Sequence, residues 1–490
     1  MSGEQFTIVV LVVAFLLDLA VRIIAIIVVP RNRRPSAAMA WLLAIFLIPY
    51  LGVLVFLLIG SYKLPKKRRD KQKAINEFII ETTHGIELVT DDRPWPTWLR
   101  SVVHLNRELG AMPLVGGNSA SLIGDYAASI AAMTEAVDSA ERFVHCEFYL
   151  IALDEVTAGF FDALERAVGR GVIVRVLVDH ITAIRSPTHK ATFRRLTAMG
   201  ARWQFMLPVQ PLKGKWQRPD LRNHRKLLIV DGVIGFMGSQ NLVSRDYNKK
   251  SNIRRGLKWQ DLMTRVEGPI VSGINAIFIT DWYSETDELL SRETVEITDE
   301  IVNSAPDALD CQLVPSGPGF EGENNLRLFL ALMYYAQKTI IITSPYFVPD
   351  DSMLYAITTA AQRGLDVQLF VSEIGDQAGV YHAQRSYYET LLKAGVTIWL
   401  YPAPYILHAK HFTIDDEVAV IGSSNMDIRS FNLDLEISLM VRGASFVDEM
   451  RSVEDGYRAL SRRLTAEEWS RQPLGSTILD NLARLTSALQ

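Results

Sequence analysis

One pattern occurs twice. His224, Lys226 and Asp231 stand in the order H-x-K-x4-D and are followed by Gly238, Ser239 and Asn241 as G-S-x-N; His408, Lys410, Asp415, Gly422, Ser423 and Asn425 repeat the same spacings. The flanking segments repeat as well. Strand 143–149, helix 157–168 and strand 172–179, as read from the pattern of the first region, are matched by 339–347, 353–362 and 365–371, with Arg170-Gly171 and Arg363-Gly364 at equivalent turns. Met199-Gly200-Ala201 and Ala394-Gly395-Val396 each precede a further strand-like run. Convergent α/β patterning does not explain a shared order together with two identical motif spacings, so the chain reads as an old duplication. Short β-branched runs alternating with amphipathic stretches predict an α/β fold of two repeated α/β/α halves with mixed sheets.

The repeated residue types point to chemistry at a phosphodiester. Residues two apart on a strand share a face, so each histidine projects with its lysine. A neutral imidazole attacks phosphorus, while lysine and asparagine hold the equatorial oxygens as charge develops. The departing oxygen needs a proton, which a second histidine supplies. A lone histidine beside a lysine is more often structural; two matched copies supply what one lacks.

The 490 residues exceed what one hydrophobic core usually serves. A net charge of −4 argues against broad capture of nucleic acid. Cys146 and Cys311 have no zinc or redox spacing and read as small buried apolar residues, and with no metal-ligand spacing elsewhere neither a metal nor another cofactor is expected.

Two apolar runs, 6–29 and 37–59, are each long enough to cross a hydrocarbon core, and predict an N-terminal two-helix membrane hairpin. The first lacks a basic n-region, so it is not a cleaved signal peptide. Within it Asp18 and Arg22 stand at i,i+4, either as a structural pair facing the second helix or as a lipid head-group contact. Lys63, Lys66, Lys67, Arg68, Arg69, Lys71 and Lys73 outnumber the loop residues Arg31, Arg33 and Arg34, which puts the termini and the rest of the chain on the cytoplasmic side. The loop arginines oppose that orientation, and two shallow interfacial helices satisfy both clusters. Residues 63–73 are a cytoplasmic stop signal or a site for anionic lipid.

The motif pair is similar to that of the phospholipase D superfamily, and nearly the whole chain resembles its bacterial cardiolipin synthase family. Beyond the motifs, the likeness rests on Arg34-Pro35-Ser36-Ala37-Ala38-Met39-Ala40-Trp41, Ile48-Pro49, Glu147-Phe148-Tyr149, Asp261-Leu262-Met263 and Glu267-Gly268-Pro269. Ser344-Pro345-Tyr346-Phe347-Val348-Pro349-Asp350, Ser386-Tyr387-Tyr388 and Asn425-Met426-Asp427-Ile428-Arg429-Ser430 carry it in the second half. The resemblance implies a metal-free, two-step phosphatidyl transfer through a phosphohistidine, with phosphatidylglycerol as donor and acceptor and cardiolipin and glycerol as products. It implies a multi-pass protein of the bacterial inner membrane, with the bilayer as partner, no nucleic acid, and an oligomeric state left open that admits a homodimer. His224 is taken as nucleophile and His408 as acid then base, although the symmetry permits the reverse. Lys226, Lys410, Asn241 and Asn425 map onto phosphate-binding positions, with Ser239 and Ser423 as polar support there. Asp231 and Asp415 are expected to orient and hydrogen-bond within the site. Glu147 and Glu436 either orient a histidine or form structural ion pairs.

The domain reading is a hairpin at 1–62, a basic linker and lead-in at 63–112, and phospholipase D-like halves at 113–300 and 301–490. His411 follows Lys410 and faces away from it, so it is read as non-catalytic. His180, His189 and His382 are read as surface or packing residues. Tyr346-Phe347 and Tyr387-Tyr388 either border an acyl-chain channel or fill the interior. The basic stretch 249–258 either steers an anionic head group or is a solvated loop. Three other functions compete: the same machinery using water, serine or ethanolamine as acceptor, a superfamily nuclease, and an inactive membrane scaffold.

Overall fold

The first apolar run forms one helix, α1 (Gly3–Val28), whose hydropathy of 2.8 over its best 18 residues suits a membrane span. The second run does not form one. It splits into α2 (Pro35–Leu47) and α3 (Pro49–Ile59). Pro49 forces the break, because its ring drives the preceding residue from helical geometry, and Ile48 sits at φ −134, ψ 73. The expected second span is thus a pair of short apolar helices, and of the single helices among the described residues only α1 is long and apolar enough to cross a membrane by itself. Ala25, Val29, Ala38 and Ile45 pack together between these helices. Arg22 pairs with Asp18 at 2.7 Å and lies over the Phe46 ring of α2, so the pair faces the neighbouring helix. This computed structural model describes residues 3–31, 33, 35–60, 64, 66–82, 96–213, 215, 217–290, 308–320 and 322–485; Arg34, Lys63 and the boundaries at 62, 63, 300 and 301 lie outside them.

α1–α3 with Arg218–Asp220 make one compact unit, and Leu64–Gln217 with Leu221–Gln490 make the other. In the second unit the basic segment is a helix, α4 (Lys66–Thr82), that packs on the helix Ile270–Thr286: Arg68 pairs with Glu285 at 2.6 Å and Lys71 donates to the Tyr283 carbonyl. The segment read as a linker therefore lies on the body of this unit.

The first-half strands are β1 (Leu114–Ile123), β2 (Phe143–Phe148), β3 (Ile173–Asp179), β4 (Arg202–Met206), β5 (Arg222–Asn223), β6 (Lys226–Val230), β7 (Ile234–Gly238), β8 (Lys258–Gln260) and β9 (Met263–Glu267). The second half supplies β10 (Leu309–Ser316), β11 (Thr339–Thr343), β12 (Phe347–Val348), β13 (Asp366–Ser372), β14 (Thr397–Tyr401), β15 (Tyr405–Leu407), β16 (His411–Ile414), β17 (Val418–Gly422), β18 (Met426–Asp427), β19 (Asp434–Arg442) and β20 (Arg462–Leu464). One continuous sheet runs β20-β14-β13-β11-β16-β17-β19-β10-β1-β9-β7-β6-β2-β3-β4. Its centre is the antiparallel β1–β10 pair, and from there the two halves read outward in the same order. Each is mixed: β2–β3–β4 and β11–β13–β14 are parallel, whereas β2–β6–β7–β9 and β11–β16–β17–β19 are antiparallel.

Helices cover both faces. Ile270–Thr286 and Ala444–Leu460 contribute Phe278, Trp282, Phe446 and Met450 to a core shared by both halves. On the opposite face Tyr126–Asp138 and Ala158–Gly169 cover the first half, and Asn324–Tyr335 and Asp351–Gln362 the second. Thr97–Gly110, part of the expected lead-in, places Leu99 and Val102 in the second half's cluster.

Two short strands cross the seam. β5 pairs in parallel with β19, and β15 pairs in parallel with β8. Each carries its half into the other immediately before a motif histidine.

Candidate active site

The crossing strands fix where the histidines stand. His224 N–H donates to the Leu435 carbonyl at 2.9 Å, and His408 N–H donates to the Gln260 carbonyl at 2.7 Å. Each ring is then met by a carboxylate of the opposite half: His224 Nδ1 lies 2.9 Å from Glu436 Oε1, and His408 Nδ1 lies 2.6 Å from Asp261 Oδ1. With Nδ1 engaged, Nε2 of each imidazole is the nitrogen left for chemistry.

The G-S tails build these carboxylate supports. Gly238 and Gly422 lie so close to the next strand that a Cβ would sit 2.4 Å from the Leu262 carbonyl oxygen and 2.2 Å from that of Ile437. Any side chain would push that strand away. The close approach lets Ser239 Oγ donate to Asp261 at 2.7 Å and Ser423 Oγ donate to Glu436. The expectation that Ser239 and Ser423 support phosphate is corrected: both are fully buried and hold the carboxylates that hold the histidines.

Lys226 donates to the His224 carbonyl and Lys410 to the His408 carbonyl at 2.7 Å. Burial pushes Lys226 down to about 8, against the pull of Glu436 and Asp261. Burial and the neighbouring Lys226 push Lys410 down to about 7. Burial and both lysines also hold His224 well below the ordinary imidazole range, and burial and Lys410 push His408 down to about 3. Both rings are therefore neutral in the free protein. Their carboxylates differ. Burial pushes Glu436 up to about 7, whereas for Asp261 the opposing burial effect is outweighed by His408, Lys410 and Ser239, which keep it ionised.

A cleft of about 530 Å³ opens over this arrangement, lined by His224, His408, Asn241 and Asn425 among others. Asn241 accepts from the Leu150 N–H and donates to the Tyr247 hydroxyl; Asn425 Oδ1 is buried without a hydrogen-bond partner among the described residues. Arg185, Arg222, Lys249 and Arg429 add cations to the walls, Asp376, Asp427 and Asp434 add carboxylates, and Tyr149 meets the His224 ring edge-on at 4.9 Å. Lys249, from the basic stretch, and Tyr346 both line it.

Asp231 and Asp415 are not in the cleft. Asp231 accepts from the N–H groups of Glu141, Arg142 and Phe143, all at 2.8 Å, and Asp415 accepts from those of Gln337, Lys338 and Thr339. The expected role within the site is corrected by strand geometry, since the x4 spacing carries the aspartate to the far end of the strand, about 15 Å from the lysine. There each, at positive φ, closes a turn. Glu147 accepts from Asn223 and bonds to no histidine among the described residues. His411 lies 3.7 Å from Glu454 beneath the sheet, and His180, His189 and His382 are absent from the cleft walls.

A family model described as "Cardiolipin synthase, PLD-like domain" matches residues 133–270 and 329–454, which take in both motifs. The chain belongs to the cardiolipin synthase family. A second model, described as "Phospholipase_D-nuclease N-terminal", matches residues 20–61. Among curated cardiolipin synthase family relatives, "Cardiolipin synthase A" of Serratia proteamaculans is 30% identical over 94% of this chain and 94% of its own. "Cardiolipin synthase A" of Wigglesworthia glossinidia brevipalpis is 29% identical over 94% of this chain and 92% of its own. The fold is shared with the crystal structure of phosphatidylserine synthase from Haemophilus influenzae Rd KW20, at TM-score 0.59 and 15% identity over 80% of this chain and all of that one. In this cardiolipin synthase family member, the two motifs alone did not reveal the role of Asp261. Its only trace in the sequence is the string Asp261-Leu262-Met263, matched in the fold by Glu436-Ile437-Ser438.

Proposed function

We propose that the chain transfers a phosphatidyl group from one phosphatidylglycerol to the head-group hydroxyl of another, giving cardiolipin and glycerol. The observation that carries this reading is the pair of histidines over one cleft, each braced by a carboxylate from the other half, in a chain of this family. His224 Nε2 attacks phosphorus, the bond to the head-group oxygen breaks, and His408 gives that oxygen its proton, releasing glycerol and leaving a phosphohistidine. A second phosphatidylglycerol then enters. His408 takes the proton of its hydroxyl, the oxygen attacks phosphorus, and the phosphorus–nitrogen bond to His224 breaks.

Lys226, Lys410, Asn241 and Asn425 hold the equatorial oxygens. The ionised Asp261 beside His408 favours this assignment, because a permanent negative charge stabilises the imidazolium that the acid–base residue must become. A phosphodiester anion entering beside the lysines offsets their repulsion and restores the proton affinity of His408.

The same reading makes 113–300 and 301–490 the two phospholipase D-like halves, with 63–112 leading into them. It makes α1 a membrane span and, with α2 and α3, a multi-pass anchor at 1–62 that keeps the catalytic unit on the cytoplasmic side of the bacterial inner membrane. The bilayer is then the partner that delivers substrate. Full-length protein reconstituted in phosphatidylglycerol vesicles with a chelator tests the proposal. Cardiolipin with matching glycerol is the expected result. Phosphatidic acid alone would make water the acceptor, and inhibition by the chelator with folding unchanged would overturn the metal-free mechanism.

A further inference from the structure

The helix Leu474–Arg484 is turned inside out. Surface helices of globular proteins bury their apolar stripe and leave polar residues in water. Here the polar side is the one bonded to protein: Asp480, 2% exposed, accepts from His382 at 2.6 Å and from Arg385 at 3.2 Å, and Ser476 accepts from Arg385 at 3.0 Å. The apolar side faces outward. Leu474, Ile478, Leu482 and Leu485 recur at helical spacing on one face, 82%, 59%, 55% and 81% exposed, with Leu479 beside them at 53%. At about 25 cal/mol per Å², such a stripe is costly in water, yet an unusual set of buried polar bonds holds it there.

We propose that this face seats in the interfacial layer of a phospholipid bilayer. Two features select that occupant. The helix docks on Ala378–Arg385, the helix whose Gly379 and Val380 line the catalytic cleft, so the exposed stripe lies on an element continuous with the cleft wall. The helix, 11 residues and about 16 Å long with Leu485 just past its end, presents one narrow apolar face, which is what an amphipathic helix lying in an interface needs. The inference rests on the reading that the substrates are membrane lipids, because that gives the cleft reason to meet the bilayer. It makes the C-terminal helix a second membrane contact, separate from the N-terminal helices, that holds the cleft wall against the lipid layer.

The test uses full-length protein in vesicles of phosphatidylglycerol and phosphatidylcholine. Ile478→Cys or Leu482→Cys carries a nitroxide label; the native Cys146 and Cys311 are buried and leave the new thiol as the reactive one. The ratio of collisions with oxygen to collisions with a water-soluble nickel chelate reports lipid contact, and Glu165→Cys, exposed on the helix Ala158–Gly169, supplies the reference. The expected ratio at 478 and 482 is at least about threefold above that reference. Nickel-dominated collisions at both positions would overturn the proposal. So would low collision rates with both agents together with spin–spin broadening between labels, which would make a second copy the occupant. Collisions are counted without turnover, so lipid contact in a preparation that makes no cardiolipin would fail the proposed activity and leave this inference standing.

Discussion

At the scale of single residues, the site is a set of charges held apart from water. Asp261→Asn keeps the size of the side chain that braces His408 and removes its charge; kcat is expected to fall on the order of 10- to 100-fold with little change in KM or unfolding midpoint, as steady-state kinetics and a thermal melt would show. Lys410 and Lys226, pushed down to about 7 and about 8, lose their charge in the empty site as pH rises through those values. Because kcat/KM reports the free protein, it is expected to decline above about pH 7, with kcat falling at higher pH because bound phosphate keeps the lysines charged. The fixed spacing of the motif grouped each histidine with its lysine and asparagine, and the structure sets both histidines and both asparagines on one cleft with the lysines bonded to the histidine carbonyls. The motif misled on Asp231 and Asp415, since a motif read along a chain does not reveal that one of its members lies at the other end of a strand. Glu436 was among the candidates for orienting a histidine, whereas the role of Asp261 stayed hidden because the loop between it and Ser239 is longer than the one between Glu436 and Ser423.

Among the elements, the turns after β6 and β16 depend on those same aspartates. Removing three backbone donors' common acceptor in Asp231→Ala should cost about 2 kcal/mol of stability while kcat at low temperature stays within about twofold of the parent, measured by denaturant unfolding beside an activity assay. The alternation of strands and helices was legible in the sequence because β-branched runs and amphipathic periods are local signals. The crossing strands β5 and β15 were not, being two and three residues long and defined by partners far along the chain. Pro49 was visible, and its effect on the second apolar run follows from the restriction proline places on Ile48; counting apolar residues alone concealed it.

For the whole molecule, the duplication has become one catalytic body in which neither half holds a complete site. The continuous sheet joins the halves through β1 and β10, and the histidine supports are exchanged across that seam. His224→Ala and His408→Ala each leave one chain with a single competent histidine. Expressed together in one cell, the two variants should yield no more cardiolipin than either alone, as lipid extraction and mass spectrometry would establish; recovery would mean that separate chains share a site. In genetic terms, the exchange across the seam makes the two halves act in cis. Lesions in them should fall into one complementation group, and a second-site suppressor of a defect at His408 is to be sought around Asp261, in the other repeat.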